Sequence, residues 1–345
     1  MPARFSPGDG IITCSLDRSR RAHLPDVQFS YPLKLIVPKR RFVPHVQVVW
    51  VIGYGGGLVA GDRVRIRASV DKGSTLVLLT QGSTKVFKTR QGRFLSDAPR
   101  KTIETPPTVQ LYRLAVSPRS LLVLLPSPVT CFSRALYEQR QVVHLKDETS
   151  SLILLDWYTS GRMGMPPGSR AGDFNEPVPA TDGTVGDDAQ GEAWEFERYR
   201  SENEVWLGGE RIAKDVLLLE DDPPPSLAAS PGPDKWGDSG RTTTTYRDRV
   251  EPYSCYATLF LFGPACSKLV AHFASTFSSL VQYKQALPYS LVWSFSTLEG
   301  HPHGAGIARC AGHSTEAVKD WVCKLLEDGG IEDLIGQDLW RATFS

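Results

Sequence analysis

A chain of 345 residues with 41% hydrophobic and 22% charged side chains can bury a large core in one or two globular domains. Its formal net charge of +1 and its lack of a long basic run argue against a dedicated nucleic-acid binder. The longest purely aliphatic run, Leu121–Leu125, is too short to cross a bilayer. The six cysteines form no C-x-x-C pair and no signal peptide is visible, so we expect reduced thiols and a cytoplasmic location.

Short runs rich in β-branched and aromatic residues predict strands along most of the chain. The run 63–70 alternates strictly between charged or polar and apolar residues, which indicates a half-buried strand. Further strands are predicted at residues 46–52, 76–79, 110–116, 121–125, 136–145, 152–158, 193–200, 204–207, 211–219, 256–262 and 290–295. Gly208 and Gly209 suggest a hairpin between two of them. Because few helices intervene, a parallel α/β fold is disfavoured.

Two helices are predicted in the C-terminal part of the chain. After Pro264, apolar residues recur at spacings of three and four as far as Val281. The same spacing defines a second helix around residues 318–326, with Ser314 as its N-cap and a Gly-Gly pair at its end. Apolar stripes of this kind predict helices that pack on a core.

Three stretches are predicted to be loops. Residues 90–108, 163–190 and 221–250 are rich in Pro, Gly, charged or small residues and lack apolar periodicity. Such segments cannot bury enough apolar surface to offset the entropy lost on ordering. Because strand patterns resume on both sides, we interpret them as mobile insertions in a single domain that spans residues 1–345.

A glycine-rich segment at residues 53–62 resembles a nucleotide-binding loop without meeting its chemical requirements. Gly56 and Gly61 have the spacing of a phosphate loop, but Asp62 and Arg63 stand where Lys and Ser or Thr would bind phosphate. A dinucleotide-binding loop would have to open a helix, whereas a strand follows here. The glycines therefore predict a tight corner between strands that needs positive φ or close backbone approach.

Candidate metal ligands lie near the C-terminus at His301, His303 and His313. The H-x-H pair could bind a divalent ion if Pro302 brings the two rings together, and with the Cys310 thiolate it would suit zinc or nickel. The alternative is that the Gly- and Pro-rich segment around these residues is a turn and that Cys310 is buried core. A metal-dependent hydrolase that uses the three histidines with an acid is the alternative function that this sequence allows.

Asp156 is a carboxylate inside an otherwise apolar predicted strand. Burying such a group is unfavourable unless it is paired or functional, and the alternative is a side chain that faces outward. Glu192 begins the next predicted strand and, taken alone, would be an ordinary surface acid.

Four blocks of sequence follow one another between residues 55 and 196. They are Gly-Gly-Gly-Leu-Val-Ala-Gly-Asp at 55–62, Leu-Thr-Gln-Gly-Ser-Thr-Lys-Val-Phe at 79–87, Leu-Pro-Ser-Pro at 125–128 with Phe132, Ala135, Tyr137 and Gln139, and Asp156 with Ser160-Gly161-Arg162 followed by Gly191-Glu192-x-Trp194-x-Phe196. Together they resemble the urease accessory protein family UreD, called UreH in some bacteria. The motif positions are Gly55, Gly56, Gly57, Gly61, Thr80, Gln81, Thr84, Arg162 and Gly191.

The chain departs from the family pattern at three places. Ser127 stands where family members commonly have Asp, and Cys131 stands where they have Pro. Residues 163–190 separate Arg162 from Gly191, which usually lie close together in sequence. This insertion is typical of a eukaryotic, fungal-like member.

The resemblance implies a mainly β fold of the helical-ladder or β-helix-like kind, with stacked sheets and two α-helices in the C-terminal part. It implies a non-catalytic, chaperone-like scaffold that docks on apo-urease with UreF, which recruits the GTPase UreG. Nickel would pass through the protein toward urease, so we expect transient Ni²⁺ and no tightly bound cofactor. The matched acids Asp62, Asp156 and Glu192 are expected to line that path. No nucleic-acid or membrane partner is expected.

Overall fold

The computed structural model describes residues 5–39, 42–88, 106–162, 192–221, 245–280, 290–301 and 303–344. In chain order, the strands of these ranges are β1 (Asp9–Leu16), β2 (Ala22–Phe29), β3 (Leu33–Ile36), β4 (Val46–Gly53), β5 (Arg63–Val70), β6 (Thr75–Thr80), β7 (Thr84–Val86), β8 (Thr108–Val116), β9 (Leu121–Leu125), β10 (Val129–Cys131), β11 (Leu136–Leu145), β12 (Ser151–Thr159), β13 (Arg198–Leu207), β14 (Glu210–Glu220), β15 (Cys255–Phe262), β16 (Leu291–Thr297) and β17 (Ala305–Gly312). The helices are α1 (Tyr246–Val250), α2 (Ser267–Ser278), α3 (Thr315–Asp328), α4 (Ile331–Ile335) and α5 (Gln337–Thr343).

These strands form two sheets. Sheet I contains seven strands in the order β14-β13-β11-β8-β5-β1-β2. Sheet II contains ten, in the order β16-β17-β15-β12-β9-β6-β4-β3, with β10 paired to β12 and to β7 beside this path. The Gly208–Gly209 hairpin between β13 and β14 is confirmed.

The chain passes back and forth between the sheets, so that successive turns stack like the rungs of a ladder. Strands β4, β6, β9 and β12 are parallel neighbours in sheet II. The strands that alternate with them, β5, β8, β11 and β13, are parallel neighbours in sheet I. The helical-ladder expectation is therefore confirmed. It also explains how parallel strands can follow one another without crossover helices.

The hydrophobic pattern of each strand follows from the layer it occupies. Sheet II is covered on both faces, by sheet I on one side and by helices on the other. In β9, Leu122 and Leu124 face sheet I, whereas Leu121, Val123 and Leu125 face the helices. A strand buried on both faces needs a continuous apolar run, which is the pattern of β6, β9 and β12.

Sheet I has one solvated face, and its strands alternate accordingly. The burial of β5 changes at every residue, with Val64, Ile66, Ala68 and Val70 directed toward sheet II. Full burial of one such aliphatic side chain contributes about 1.5–3 kcal/mol, so register is strongly fixed along this strand. The strict alternation in the sequence is therefore confirmed as a half-buried strand.

Both predicted C-terminal helices are present and pack on sheet II. In α3 the Ser314 hydroxyl accepts a hydrogen bond from the amide of Ala317, as a helix N-cap does, and Gly329 follows the last turn. The short helices α1, α4 and α5 were not predicted. Helix α1 occupies the end of the stretch 221–250 that the sequence suggested as loop, and residues 222–244 lie outside the described residues. The predicted insertion 163–190 also lies outside them, as do residues 90–105 of the first one.

The predicted strand 193–200 is wrong over its first five residues. Residues 193–197 form a turn followed by irregular structure, and β13 begins only at Arg198. Trp194 and Phe196 are nevertheless both buried, because their rings pack in the core between the sheets. The hydroxyl oxygen of Tyr246 lies 2.8 and 2.6 Å from their backbone carbonyl oxygens, so its single proton is shared between them. The alternation of aromatic residues therefore indicated that their side chains are buried, and not that the segment is a β-strand. The strands β1, β2, β3, β7, β10 and β17 were not predicted.

The glycine-rich segment is a corner, as predicted, and it carries the chain from β4 in sheet II to β5 in sheet I. Gly55, Gly56 and Gly61 have φ of 77°, 77° and 84°. Gly57 differs, since its φ of 172° is extended. A Cβ on Gly57 would lie 2.6 Å from the carbonyl oxygen of Lys85, so close backbone approach is what requires glycine there.

All six cysteines are free thiols, and five of them are buried. In the described ranges, no helix is both long and apolar enough to cross a membrane.

Candidate functional site

A cluster of buried polar side chains lies between the two sheets and centres on Asp156. This residue is only 9% exposed, and it faces sheet I because it shares the inward-facing side of β12 with Leu152 and Leu154. Its Oδ1 accepts a hydrogen bond from Gln139 Nε2 at 2.9 Å. Its Oδ2 accepts from Ser201 Oγ and from Asn203 Nδ2, each at 2.6 Å. The outward-facing alternative for Asp156 is therefore wrong.

Hydrogen bonds extend this cluster toward one end of the sheets. The hydroxyl of Tyr137 is hydrogen bonded to Gln110 Oε1 and lies 3.1 Å from Gln139 Oε1. Gln139 in turn contacts Asp156. A continuous polar path therefore runs from β8 through β11 to β12, across a space that is otherwise filled by aliphatic and aromatic side chains.

Three polar atoms on the inward-facing side of sheet I, toward which Asp156 points, have no hydrogen-bond partner among the residues that the structure describes. These buried atoms are Gln141 Oε1, Asn203 Oδ1 and the hydroxyl oxygen of Tyr199. Gln141 and Asn203 are paired in register on β11 and β13. Leaving such an acceptor buried and unpaired costs about 1–3 kcal/mol, so a native protein retains it for a reason such as binding a water molecule or an ion.

The electrostatic environment of Asp156 also favours a bound ion at this cluster. Burial raises the pKa of its carboxyl above the ordinary value, and the three hydrogen bonds only partly oppose this effect. The negative charge of Asp215 raises the pKa further. A desolvated carboxylate of this kind is chemically suited to bind a cation or a proton.

The mouth of the polar path is a cavity of about 80 Å³ at one end of the sheets. It is lined by the glycine-rich corner on one side and by the Thr-Gln-x-x-Thr block on the other. The motif residues at its wall are Gly56, Gly57, Thr80, Gln81 and Thr84. Gln110 belongs both to this wall and to the path that leads to Asp156.

The third sequence block meets the second at the same end. The amide of Ser127 donates to Thr80 Oγ1 at 2.7 Å, and the amide of Thr84 donates to the carbonyl of Pro128 at 3.1 Å. Two blocks that are about 45 residues apart in sequence thus form one wall.

Asp62 lies apart from the Asp156 cluster and stabilises the glycine corner. Its Oδ2 accepts a hydrogen bond from the amide of Val59 at 2.9 Å, and its own amide donates to the carbonyl of Val59 at 3.0 Å. Its backbone carbonyl accepts from Val109 at 2.8 Å, which ties the corner to β8. The side chain is partly exposed.

Glu192 also lies apart from the Asp156 cluster. Together with Lys88, Arg162 and Ser133 it forms a group of contacts that we call the ionic clasp. Its carboxylate contacts Lys88 Nζ at 2.8 Å, Arg162 Nη2 at 3.5 Å and the amide of Ser133 at 3.0 Å. Burial alone would raise the pKa of Glu192, but these hydrogen bonds and the charges of Lys88 and Arg162 together lower it. The ordinary surface acid that Glu192 suggested on its own is therefore a buried one, 4% exposed. Gly191 lies outside the described residues.

The three candidate acids therefore do not form one centre. Among the residues that the structure describes, no group of three or more His, Cys, Asp or Glu side chains is placed to hold a metal ion. Asp156 occupies the interior between the sheets, Asp62 holds a corner, and Glu192 closes a clasp.

The three histidines are not brought together either. His301 and His303 precede β17 and lie at a small cavity at the end of the sheets opposite the glycine corner, whereas His313 follows β17. Eight residues of strand span roughly 26 Å, which no single metal ion can bridge. His313 instead packs against Tyr253. The interpretation of the three histidines as one metal site is therefore wrong, and Cys310 is buried core as the alternative held.

Sequence reasoning missed most partners of Asp156. Ser201, Asn203 and Gln141 were not singled out, although each lies at an inward position of a strand that alternates with period two. A polar residue at such a position is the signal that could have found them. For β13 it was hidden because Ser201 and Asn203 fall between the two predicted strands, 193–200 and 204–207.

Comparison with known proteins shows which family this chain is similar to. The model of the family described as UreD urease accessory protein matches residues 9–176 and 183–329. The chain is 31% identical to urease accessory protein 4 of Cryptococcus neoformans var. grubii, over 98% of this chain and 95% of that protein. It is 29% identical to urease accessory protein D of Arabidopsis thaliana, over 89% and 91% of the two chains. It is 26% identical to a protein of Schizosaccharomyces pombe described as an uncharacterized urease accessory protein ureD-like, over 89% of each chain.

Proposed function

This chain belongs to the UreD family of urease accessory proteins, and we propose that it is a non-catalytic scaffold that delivers nickel during the maturation of urease. In this proposal it docks on apo-urease together with UreF, which recruits the GTPase UreG. GTP is bound and hydrolysed by that partner. The glycine-rich corner of the present chain offers no phosphate site, because Asp62 and Arg63 stand where a phosphate loop needs Lys and Ser or Thr.

The observation that carries the nickel proposal is the buried carboxylate of Asp156 beside unpaired oxygen acceptors. A metal ion in transit needs ligands that bind weakly and exchange. Oxygen atoms of carboxylate and amide groups bind Ni²⁺ less tightly than imidazole or thiolate, which would retain it. Gln141 Oε1 and Asn203 Oδ1 are free to accept an ion or its water shell next to Asp156. The residues present therefore suit Ni²⁺ as cargo.

The route that we propose follows the polar path. Nickel enters at the cavity between the glycine-rich corner and the Thr-Gln-x-x-Thr block, passes Gln110 and Gln139, and reaches Asp156. Asp62 and Glu192 border this route rather than lying on it. Asp62 holds the shape of the corner, and Glu192 closes the clasp at the same end of the sheets.

The geometry does not favour the alternative of a hydrolase. That function needs a metal ion held by several side chains next to a substrate-sized cleft. His301 and His303 are separated from His313 by the length of β17, and the cavity beside the first two is about 20 Å³. We therefore do not assign a hydrolytic function to these histidines.

The docking part of the proposal can be tested by reconstitution. The purified chain is mixed with urease apoprotein, UreF and UreG, with and without GTP, and each mixture is separated by size-exclusion chromatography with light scattering. We expect the chain to co-elute with urease in the presence of UreF. Separate elution of the chain from urease and UreF in every combination would overturn the scaffold function.

A further inference from the structure

The outer face of sheet I carries closely spaced arginines on two neighbouring strands. Arg63, Arg65 and Arg67 alternate outward along β5, and Arg113 lies outward on β8 directly beside Arg67. All four side chains are exposed. Arg65 pairs with Asp9 at 2.8 Å. We call the other three, Arg63, Arg67 and Arg113, the arginine patch.

The arginines of the patch differ from Arg65 in that the described part of the chain offers them no ion-pair partner. None of the three guanidinium groups forms an ion pair with another residue that the structure describes. Arg67 and Arg113 are partners in the parallel register, and like charges directly opposite each other on a sheet are destabilising. Folding therefore tolerates an unfavourable contact on an exposed face.

The acids of β13 on the same face do not neutralise the patch, because they already have partners. Glu202 and Glu204 both lie against Arg140, with the closest N–O distances at 3.6 and 2.8 Å. Glu202 also contacts Lys214 at 3.2 Å. The two halves of the face thus differ, with paired charges on β11, β13 and β14 and unpaired positive charge on β5 and β8.

Apolar side chains adjoin the arginines. Leu111 and Val142 are half-buried neighbours of the patch on β8 and β11. Further along the same face, three strands from β8, Val216 and Leu218 are 48% and 49% exposed on the edge strand β14. Arginine mixed with apolar residues is typical of protein interfaces. Since the net charge of the chain is only +1, the excess of positive charge is local to this face.

We propose that the arginine patch docks an acidic surface of a protein partner in the urease-activation assembly. The identity of that assembly rests on the proposed function. Carboxylates of the partner would pair with Arg67 and Arg113 through two-pronged hydrogen bonds and relieve the repulsion between them. Docking at this face leaves the mouth of the polar path open, because the patch lies on the outer surface of sheet I and the mouth lies between the sheets.

Reversing one charge in the arginine patch distinguishes an effect on partner binding from an effect on folding. Arg113→Glu places a carboxylate opposite Arg67, so it replaces a repulsive pair within the sheet by an attractive one. We expect the midpoint of thermal unfolding of this variant to stay equal or to rise. We expect its affinity for the partner to fall by about tenfold or more, because a partner carboxylate then meets like charge.

The matched control is Arg341→Glu. Arg341 is also an exposed arginine without an ion pair to a described residue, and it lies on α5, in the helix layer on the opposite side of the molecule. Each reversal changes the net charge from +1 to −1. The dissociation constants of wild type, Arg113→Glu, Arg67→Glu and Arg341→Glu are measured by calorimetry with purified apo-urease and with UreF as titrants, at about 50 and 300 mM salt.

The proposal requires that Arg113→Glu and Arg67→Glu both weaken binding of one of the two titrants. Raised salt must also weaken the wild-type complex. The control Arg341→Glu must change affinity by less than about twofold. Unchanged affinity of both patch variants would overturn the docking surface while the scaffold function stood, since wild type would still bind. If Arg113→Glu does not fold, Arg113→Gln provides the same comparison. A patch that bound a single-stranded RNA oligonucleotide and neither protein would also overturn the proposal.

Discussion

Arg162 and Glu192 are in direct contact although 30 positions separate them in the chain. The amide of Glu192 donates to the carbonyl of Arg162 at 2.8 Å, and the carboxylate of Glu192 lies 3.5 Å from Arg162 Nη2. The amide of Trp194 continues this contact by donating to the carbonyl of Ser160 at 2.6 Å. Residues 162 and 192, which flank the intervening segment, therefore lie side by side, which is the arrangement expected at the two ends of an insertion.

The first prediction concerns removal of that insertion. Replacing residues 165–188 by a short Gly/Ser linker should leave the protein folded, because the contacts of Arg162 and Glu192 close the fold without the intervening residues. Thermal unfolding of the shortened chain should differ from wild type by about 1 kcal/mol or less in free energy. Glu192→Ala in the full-length chain is the comparison, since it opens the clasp and should destabilise more. Insoluble shortened protein together with a stable Glu192→Ala variant would show that the segment is structural.

The second prediction separates the two reasons for glycine at the corner. Gly56 has a positive φ with open space around its Cα, whereas Gly57 is extended but lies against Lys85 and Phe87. Asn tolerates positive φ, so Gly56→Asn should lower the free energy of unfolding by less than about 1 kcal/mol. Gly57→Asn should lower it by about 1–3 kcal/mol because its Cβ would clash with the backbone of Lys85. Urea unfolding of the two variants measures both values, and equal losses would contradict this assignment.

The third prediction concerns stability at the polar cluster. Gln141→Leu removes a buried acceptor that has no partner, at similar side-chain volume. The free energy of unfolding should therefore rise by about 1 kcal/mol. Urease activation at limiting nickel should nevertheless decrease, because an oxygen atom is lost beside Asp156. A loss of stability in this variant would show that Gln141 is a structural residue.

The fourth prediction concerns pH. Burial raises the pKa of Asp156 above its ordinary value of 3.8, so the folded state holds the proton more tightly than the unfolded state. The contribution of this group to stability then falls as pH rises from 3.8 to the folded pKa and stays constant above it. Relative to wild type, Asp156→Asn should therefore gain stability as pH rises through that window. Denaturant unfolding of both proteins at a series of pH values measures the difference.

The pH-dependent stability contributions of the other acids are the same in wild type and variant, so they cancel in this comparison. The pKa of Glu202 is lowered to about 2 because hydrogen bonds and the charge of Arg200 outweigh the effect of burial, and its stabilising contribution is lost as pH falls below 4.5. That loss is common to wild type and variant. A stability difference that did not change with pH would mean that the carboxyl of Asp156 titrates normally.

How far the sequence predicted the molecule depends on which forces decide each part. Strict alternation at 63–70 and the continuous apolar run at 121–125 identified β5 and β9, because one-sided and two-sided burial leave different patterns. The turn at Trp194 and Phe196 was predicted as strand, because alternation records burial and not hydrogen bonding. The short strand β7 forms by pairing with β10, and β10 pairs with β7 and β12, contacts that no local pattern encodes.

The candidate site shows the same division. Asp156 could be singled out because a carboxylate is anomalous inside an apolar strand, and burial with three hydrogen bonds is what the structure shows. The partners Ser201 and Asn203 come from another sheet, so their proximity depends on the stacking of the ladder. The pairing of His301 and His303 with His313 failed for the converse reason, since closeness in sequence is lost along an extended strand.

The claim that nickel passes by Asp156 is tested most directly by the rate of urease activation in a mixture of purified apo-urease, UreF, UreG, GTP and limiting Ni²⁺. The variant is Asp156→Asn, and the control is Glu204→Gln, which alters a similarly buried acid on the outer face of sheet I. We predict that Asp156→Asn joins the assembly normally but lowers the initial activation rate by about tenfold. Excess nickel should partly restore the activation rate of this variant. Glu204→Gln should lower the rate much less. Equal activation rates for wild type and Asp156→Asn at limiting nickel would contradict this account.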